Sequence, residues 1–187
     1  MLLTYNYKYS SMRQVHYIGL FIILIIAQAC NDKRKAKNYN HQVSVDGDAL
    51  VFIRKAAESG IAEVEASSIA RQTSKNPKVV QFATMIADQH SRINDELKSL
   101  QSRNLISSDD TISMEKQQEI AAIAKKSGVE FDRDYVSMMV KDHEEAVTLF
   151  NSGATIRTAS VNKFANKFLP EIKAHLDSAK QILAGLK

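Results

Sequence analysis

Tryptophan is absent from this chain of 187 residues, cysteine occurs once, proline twice and glycine six times. A single cysteine cannot close an internal disulfide, so the fold does without one in any redox compartment. No stretch alternates apolar and polar residues well enough to be a strand. There is no nucleophile triad, no Gly-rich phosphate loop, no cysteine pair and no dinucleotide fingerprint, so no catalytic residue can be named. No apolar run is long enough for a comfortable bilayer crossing, which takes ~20 residues. What remains is rich in Ala, Ile, Leu, Lys, Glu and Gln, a composition that reads as all-α.

The longest apolar run, Ile18 to Ala27, is followed by Gln28-Ala29-Cys30. With Lys8 and Arg13 ahead of it, the run suits the core of a secretory signal. Met12 offers an alternative start. Ala27-Gln28-Ala29-Cys30 resembles a bacterial lipoprotein cleavage site, with Ala27 in place of the usual Leu and Gln28 in place of a small residue. The resemblance implies a signal peptide over 1–29, a lipidated Cys30 and a membrane partner reached through that anchor; an uncleaved anchor and ordinary secretion are the alternatives. Residues 30–45 read as a polar basic tether, and 46–187 as the folded domain. The chain is formally +4. Leader and tether account for all of this excess, which leaves the domain at −1 and without a basic face for nucleic acid. The tether's Lys33, Arg34, Lys35 and Lys37 stay solvated or lie against anionic headgroups.

Four long segments carry narrow apolar seams. The first starts near Asp46–Asp48 and reads Ile53, Ala56, Ala57, Gly60, Val64, Ser67, with Glu63 on its flank. The second opens with Asn76 as cap and Pro77 in the first turn, and its seam is Val79, Ala83, Ile86, His90, Ile93, Leu97, Leu100. Ser113 caps a shorter helix, 114–126, closed by Gly128. The third long helix begins near Glu130 and carries Val136, Met139, His143, Ala146 or Val147, and Phe150. The last begins between Thr155 and Ser160 and carries Val161, Ala165, Phe168, Ile172, His175, Ala179, Ile182 and Leu186. Pro170 is expected to kink or loosen it. The expected fold is all-α: a four-helix bundle with a short helix between two hairpins. Val79-Val80-Gln81-Phe82-Ala83 echoes Val161-Asn162-Lys163-Phe164-Ala165, which pairs the second long helix with the last.

His90, His143 and His175 stand where the seams call for Leu or Ile. A buried imidazole needs a partner, whether carboxylate, carbonyl, water or metal. The simplest arrangement is a core histidine bonded to a neighbouring helix, as Glu63 to His90; pH sensing is another use of such rings. A single Zn or Cu ion is the other, with Glu63, His90, His143, Glu171 and His175 as candidate ligands. Counting residues from the loops puts Glu63 level with His90. It puts His175 on the order of 10 Å deeper than His143 at the helical rise, with Glu171 nearer. Met85, Met138 and Met139 at helical spacing read as core filler. Asp142-His143-Glu144-Glu145 reads as a solvated face with one inward ring.

Four segments resemble, in order, a bacterial family of domains of unknown function: 57–64 (AESGIAEV), 82–90 (FATMIADQH), 131–136 (FDRDYV) leading to 141–143 (KDH), and 169–176 (LPEIKAHL). The resemblance spans Asp48 to Leu183. It implies a ferritin-like bundle that is secreted or anchored in the cell envelope, facing the periplasm, and brings no established activity, ligand or protein partner. Ferritin-like di-metal sites use a Glu-x-x-His on the second helix of each hairpin. Here Ala87 and Ile172 stand where those carboxylates belong, so a di-iron centre is not expected. The leading expectation for function is a non-catalytic structural, stress-related or interaction module; the alternative is a periplasmic metal-binding protein.

Overall fold

Asp46 caps the first helix by accepting from the Ala49 amide at 2.8 Å. It fixes the start of α1 (Gly47–Thr73). Asn76 does the same for α2 (Pro77–Arg103), accepting from Lys78 N at 3.0 Å, with Pro77 in the first turn where its missing N–H costs nothing. Ser113 caps the short α3 (Met114–Ala124). Helices α4 (Gly128–Gly153) and α5 (Ala159–Gly185) complete the fold. These assignments come from a computed structural model, which describes residues 45–107 and 111–186. The leader, Cys30 and the tether before Val45 lie outside the described residues. Among the described residues all regular structure is helical, and no helix is long and apolar enough to cross a membrane.

Cross-helix contacts give the directions. Ser67 bonds Tyr135 at 2.8 Å near one end of the bundle, and Phe52 packs edge-on against Phe150 at 5.3 Å near the other, so α1 and α4 are antiparallel. Arg92–Glu171 and Glu96–Lys167 make α2 and α5 antiparallel as well. Each hairpin is antiparallel within itself, so α2 and α4 run the same way. The segment 104–127 must therefore travel the length of the bundle. It does so across α1 and α4: the Ser113 amide donates to Glu58, Lys116 pairs with Asp142, and Ile112 and Ile120 are buried. Two antiparallel hairpins joined by one long crossover is the ferritin-like arrangement. It relates α1 to α4 and α2 to α5, the pairing that the sequence echo suggested.

Three local expectations shift. Helix α3 ends at Ala124, and Gly128, at φ +59°, opens α4 rather than closing α3. Glu63, not Val64, faces inward on α1. Val64 is half-buried on the flank, while Ser67, the next residue of the expected stripe, stays buried and bonded to Tyr135. Pro170 sits within a continuous α5 on its exposed face. The Asn166 carbonyl, deprived of an amide donor there, lies on the water side.

The core is divided. One apolar cluster gathers Ala66, Val79, Phe82, Ile86, Phe131, Tyr135 and Met139. The other gathers Phe52, Ile53, Ile93, Leu97, Phe150, Phe164 and Phe168. The inward histidines and Glu63 belong to neither cluster. Small residues let α1 approach closely: a Cβ on Gly60 would lie 2.2 Å from Asn94 Oδ1, and one on Gly153 would lie 2.4 Å from the Phe52 ring.

A histidine triangle backed by a carboxylate

Each of the four long helices contributes one residue to the polar layer: Glu63 from α1, His90 from α2, His143 from α4 and His175 from α5. All are at most 3% exposed. The imidazole centroids form a nearly equilateral triangle, with sides of 5.3 Å (90–143), 5.1 Å (90–175) and 5.4 Å (143–175). One ligand-capable nitrogen from each ring lies within 4.8 Å of the other two.

His143 and His175 are therefore level, contrary to the count from the loop. The close approach of Gly153 to Ala165 sets the register of the second hairpin. Ten residues further along each antiparallel helix, His143 meets His175. The connection between α4 and α5 is lopsided, so α5 has advanced a turn and a half before it draws level with the end of α4. Glu171 lies one turn before His175 and does not reach the triangle; it is half-buried and pairs with Arg92 at 2.5 Å. Glu63 and His90 are level, as the count from the first loop required.

Hydrogen bonding assigns the rings. His143 Nδ1 lies 2.8 Å from the Met139 carbonyl, which can only accept, so Nδ1 carries the proton. His143 Nε2 is then a bare lone pair, and it is buried with no hydrogen-bond partner. His175 Nε2 donates to Gln89 Oε1 at 2.5 Å, which leaves its Nδ1 bare. His90 Nδ1 is 2.7 Å from Glu63 Oε2, a carboxylate that demands a proton facing it. Oε2 has no donor aligned to it, so this contact is chiefly electrostatic. With neutral rings His90 Nε2 is also bare, and it faces His175 Nδ1 at 3.2 Å. Ser59 donates to the other Glu63 oxygen at 3.2 Å, and His143 Nδ1 is 3.8 Å from it.

Burial decides the charges. Desolvation alone would raise the Glu63 carboxyl, but the facing His90 and His143, the close His90 contact and the bond from Ser59 bring it down to about 2. Burial pushes the His143 imidazole below its ordinary value. Burial, then the neighbouring His90 and His143, takes His175 down to about 3. His143 and His175 are thus neutral at pH 7, the form that ligates metal.

A four-coordinate ion with bonds of ~2.05 Å to imidazole separates its ligand nitrogens by ~3.3 Å. The 3.2 Å between His90 Nε2 and His175 Nδ1 matches that edge. On each ring the opposite nitrogen is held by an acceptor: Glu63, the Met139 carbonyl or Gln89. Such outer partners fix the orientation of metal-ligating histidines. Glu63 stands behind His90 rather than beside the lone pairs. Gln89 was not legible in the sequence, because it sits beside the seam as an ordinary flank residue. A di-iron centre does not fit: Ala87 and Ile172 are buried at the positions that would carry bridging carboxylates. Asp142, expected on a solvated face, is instead covered by the crossover and bonded to Lys116 at 2.8 Å. Burial raises its carboxyl to about 6 despite that lysine.

The profile of a domain of unknown function (DUF4142) matches residues 34–182, and the chain belongs to that family. No curated protein matches it. Among solved structures it is similar to a DUF305 fragment from Deinococcus radiodurans, with a TM-score of 0.68 and 14% identity, over 76% of this chain and 99% of that one. It is also similar to a DUF305 protein from Streptomyces coelicolor, with a TM-score of 0.63 and 17% identity, over 74% and 91% of the two chains. At such identities the likeness carries the fold alone.

Proposed function

We propose that this DUF4142 domain binds one transition-metal ion through His90 Nε2, His143 Nε2 and His175 Nδ1, and performs no chemistry on it beyond binding. The observation that carries this reading is the buried His143 Nε2 lone pair, without a partner beside two other rings whose free nitrogens face each other. Leaving a buried polar atom unsatisfied costs about 1–3 kcal/mol, and a cation removes that cost. Three imidazoles with an open fourth position suit Zn(II), Co(II), Ni(II) or Cu(II). The Glu63 carboxylate offsets part of the ion's charge from behind His90. Cys30 completes the proposal as the lipid anchor that holds the domain at the periplasmic face of the cell envelope.

A second reading has its own support. The chain Gln89–His175–His90–Glu63, with one proton shared between the two rings, also works as a polar network that aligns three helices, in a structural or interaction module that needs no metal. Calorimetric titration of metal-stripped protein with Zn(II) separates the two. Metal binding predicts one site of micromolar affinity or tighter, lost in His143→Ala; heat only at millimolar zinc leaves the structural reading. Incorporation of labelled palmitate, abolished by Cys30→Ala, tests the anchor.

A further inference from the structure

We infer that the ion reaches the histidine triangle along an acidic groove between α1, the crossover helix α3 and α4, and not through the α2–α5 face. The inference rests on the metal-binding reading above. The groove is an open cavity of about 690 Å³ whose walls carry Glu58, Glu115, Glu119, Asp142 and Glu145 against three lysines. Acidic residues alone would identify nothing. What links them to the site is a small inner cavity lined by Glu63 and His90, which shares Ser59, Ala146 and Leu149 with the groove. These three residues border both cavities, at the place where the proposed route has its neck. Two oxygens at the inner cavity, Glu63 Oε2 and Asn94 Oδ1, are buried without an aligned donor. Glu63 Oε2 already faces His90 Nδ1 at 2.7 Å, so a cation in this cavity meets an anionic oxygen and an amide oxygen beside the His90 ring.

The opposite face is built differently. Arg92 lies across the α2–α5 seam, bonded to Glu171, and Lys167 is bonded to Glu96 one turn away. Both cations belong to that face, each against the Phe168 ring. A cleft lined by one sign of charge concentrates counter-ions and speeds association by roughly 10–1,000-fold. In the groove Lys116 pairs with Asp142 and Glu119, so a tethered ammonium already occupies the acidic floor. The arriving metal competes with that lysine.

Stopped-flow uptake of Co(II) by the full chain in detergent tests the route, with ligand-field absorption as the signal. Glu115→Lys with Glu145→Lys should slow association about tenfold at low salt, and 0.5 M salt should erase most of the difference. The same charge change on the other hairpin helices, Asp88→Lys with Asp177→Lys, should slow it by less than twofold. Ala146→Met, which narrows the neck, should reduce association and release rates together and leave the equilibrium affinity unchanged, the signature of a path rather than a ligand. Equal slowing by the two charge-reversed pairs, or an unchanged rate in Ala146→Met with wild-type helicity, overturns the route while the metal site stands. Absence of any cobalt or zinc uptake by the parent protein overturns the site and the route with it.

Discussion

His90 Nε2 and His175 Nδ1 face each other at 3.2 Å across the interface of α2 and α5. The two rings come from separate hairpins, and both of their outer nitrogens are already committed, to Glu63 and to Gln89. With both rings neutral, two lone pairs point at one another. A shared proton relieves the conflict, and so does a metal ion. Each remedy has measurable consequences.

His143→Leu should raise the stability of the metal-free protein by about 1–2 kcal/mol while abolishing metal binding. It removes the unpartnered Nε2, and the Met139 carbonyl keeps the amide of residue 143 as its helical donor. Urea unfolding with and without Zn(II) measures both effects. A loss of metal-free stability would mean that the ring is a structural hydrogen-bonder.

Glu63→Gln should weaken metal binding about 10- to 100-fold without changing the stoichiometry of one ion. The carboxylate orients His90, and outer partners of this kind are typically worth that much. An unchanged affinity would remove Glu63 from the site.

Stability of the metal-free protein should fall as the pH is lowered from about 6.5 toward 3. His175 has an ordinary value of 6.5 and sits at about 3 when folded, so between these limits the unfolded chain binds a proton that the folded chain refuses. Glu63, held at about 2 against 4.5, adds to the loss below pH 4.5. Asp142 acts in the opposite sense: raised from 3.8 to about 6, it favours the folded chain as the pH drops through that window. His175→Gln should therefore flatten the pH dependence, and Asp142→Asn should steepen it, in urea midpoints measured from pH 7 to pH 4.

Gly153→Ala should cost about 1–3 kcal/mol, the range for overpacking a filled core. Its Cβ would meet the Phe52 ring at 2.4 Å and Ala165 Cβ at 2.9 Å. Gly60→Ala should cost less, because the atoms in its way belong to the single side chain of Asn94. The Gly153 variant should also lose metal affinity, because the same contact sets the register of His143 against His175. Thermal unfolding and zinc titration of the two variants make the comparison.

Much of the fold was readable along the chain because it depends on local chemistry. The caps at Asp46, Asn76 and Ser113, the first-turn Pro77 and the seven-residue seam of α2 are each written in a few adjacent residues. Every residue of that α2 seam, His90 included, is buried. Glu63 was read as a flank residue because a carboxylate is not expected on an apolar edge, and only its pairing with His90 holds it there. Glu171 was drawn into the candidate site for a different reason: the α4–α5 register depends on how closely Gly153 seats against Phe52 and Ala165, which loop length does not encode. Asp142 was misplaced because its cover, α3, reaches it from 26 residues away.

The sequence alone determined four amphipathic helices with one short helix between the hairpins, and three imidazoles that had to face inward, because periodicity and capping act within a turn or two. Tertiary structure alone decided that those imidazoles meet in one triangle, which nitrogens are left bare, and that Glu171 stays outside it. These outcomes are set by interhelix register and by hydrogen bonds between residues as much as 86 positions apart, and no local pattern carries that information.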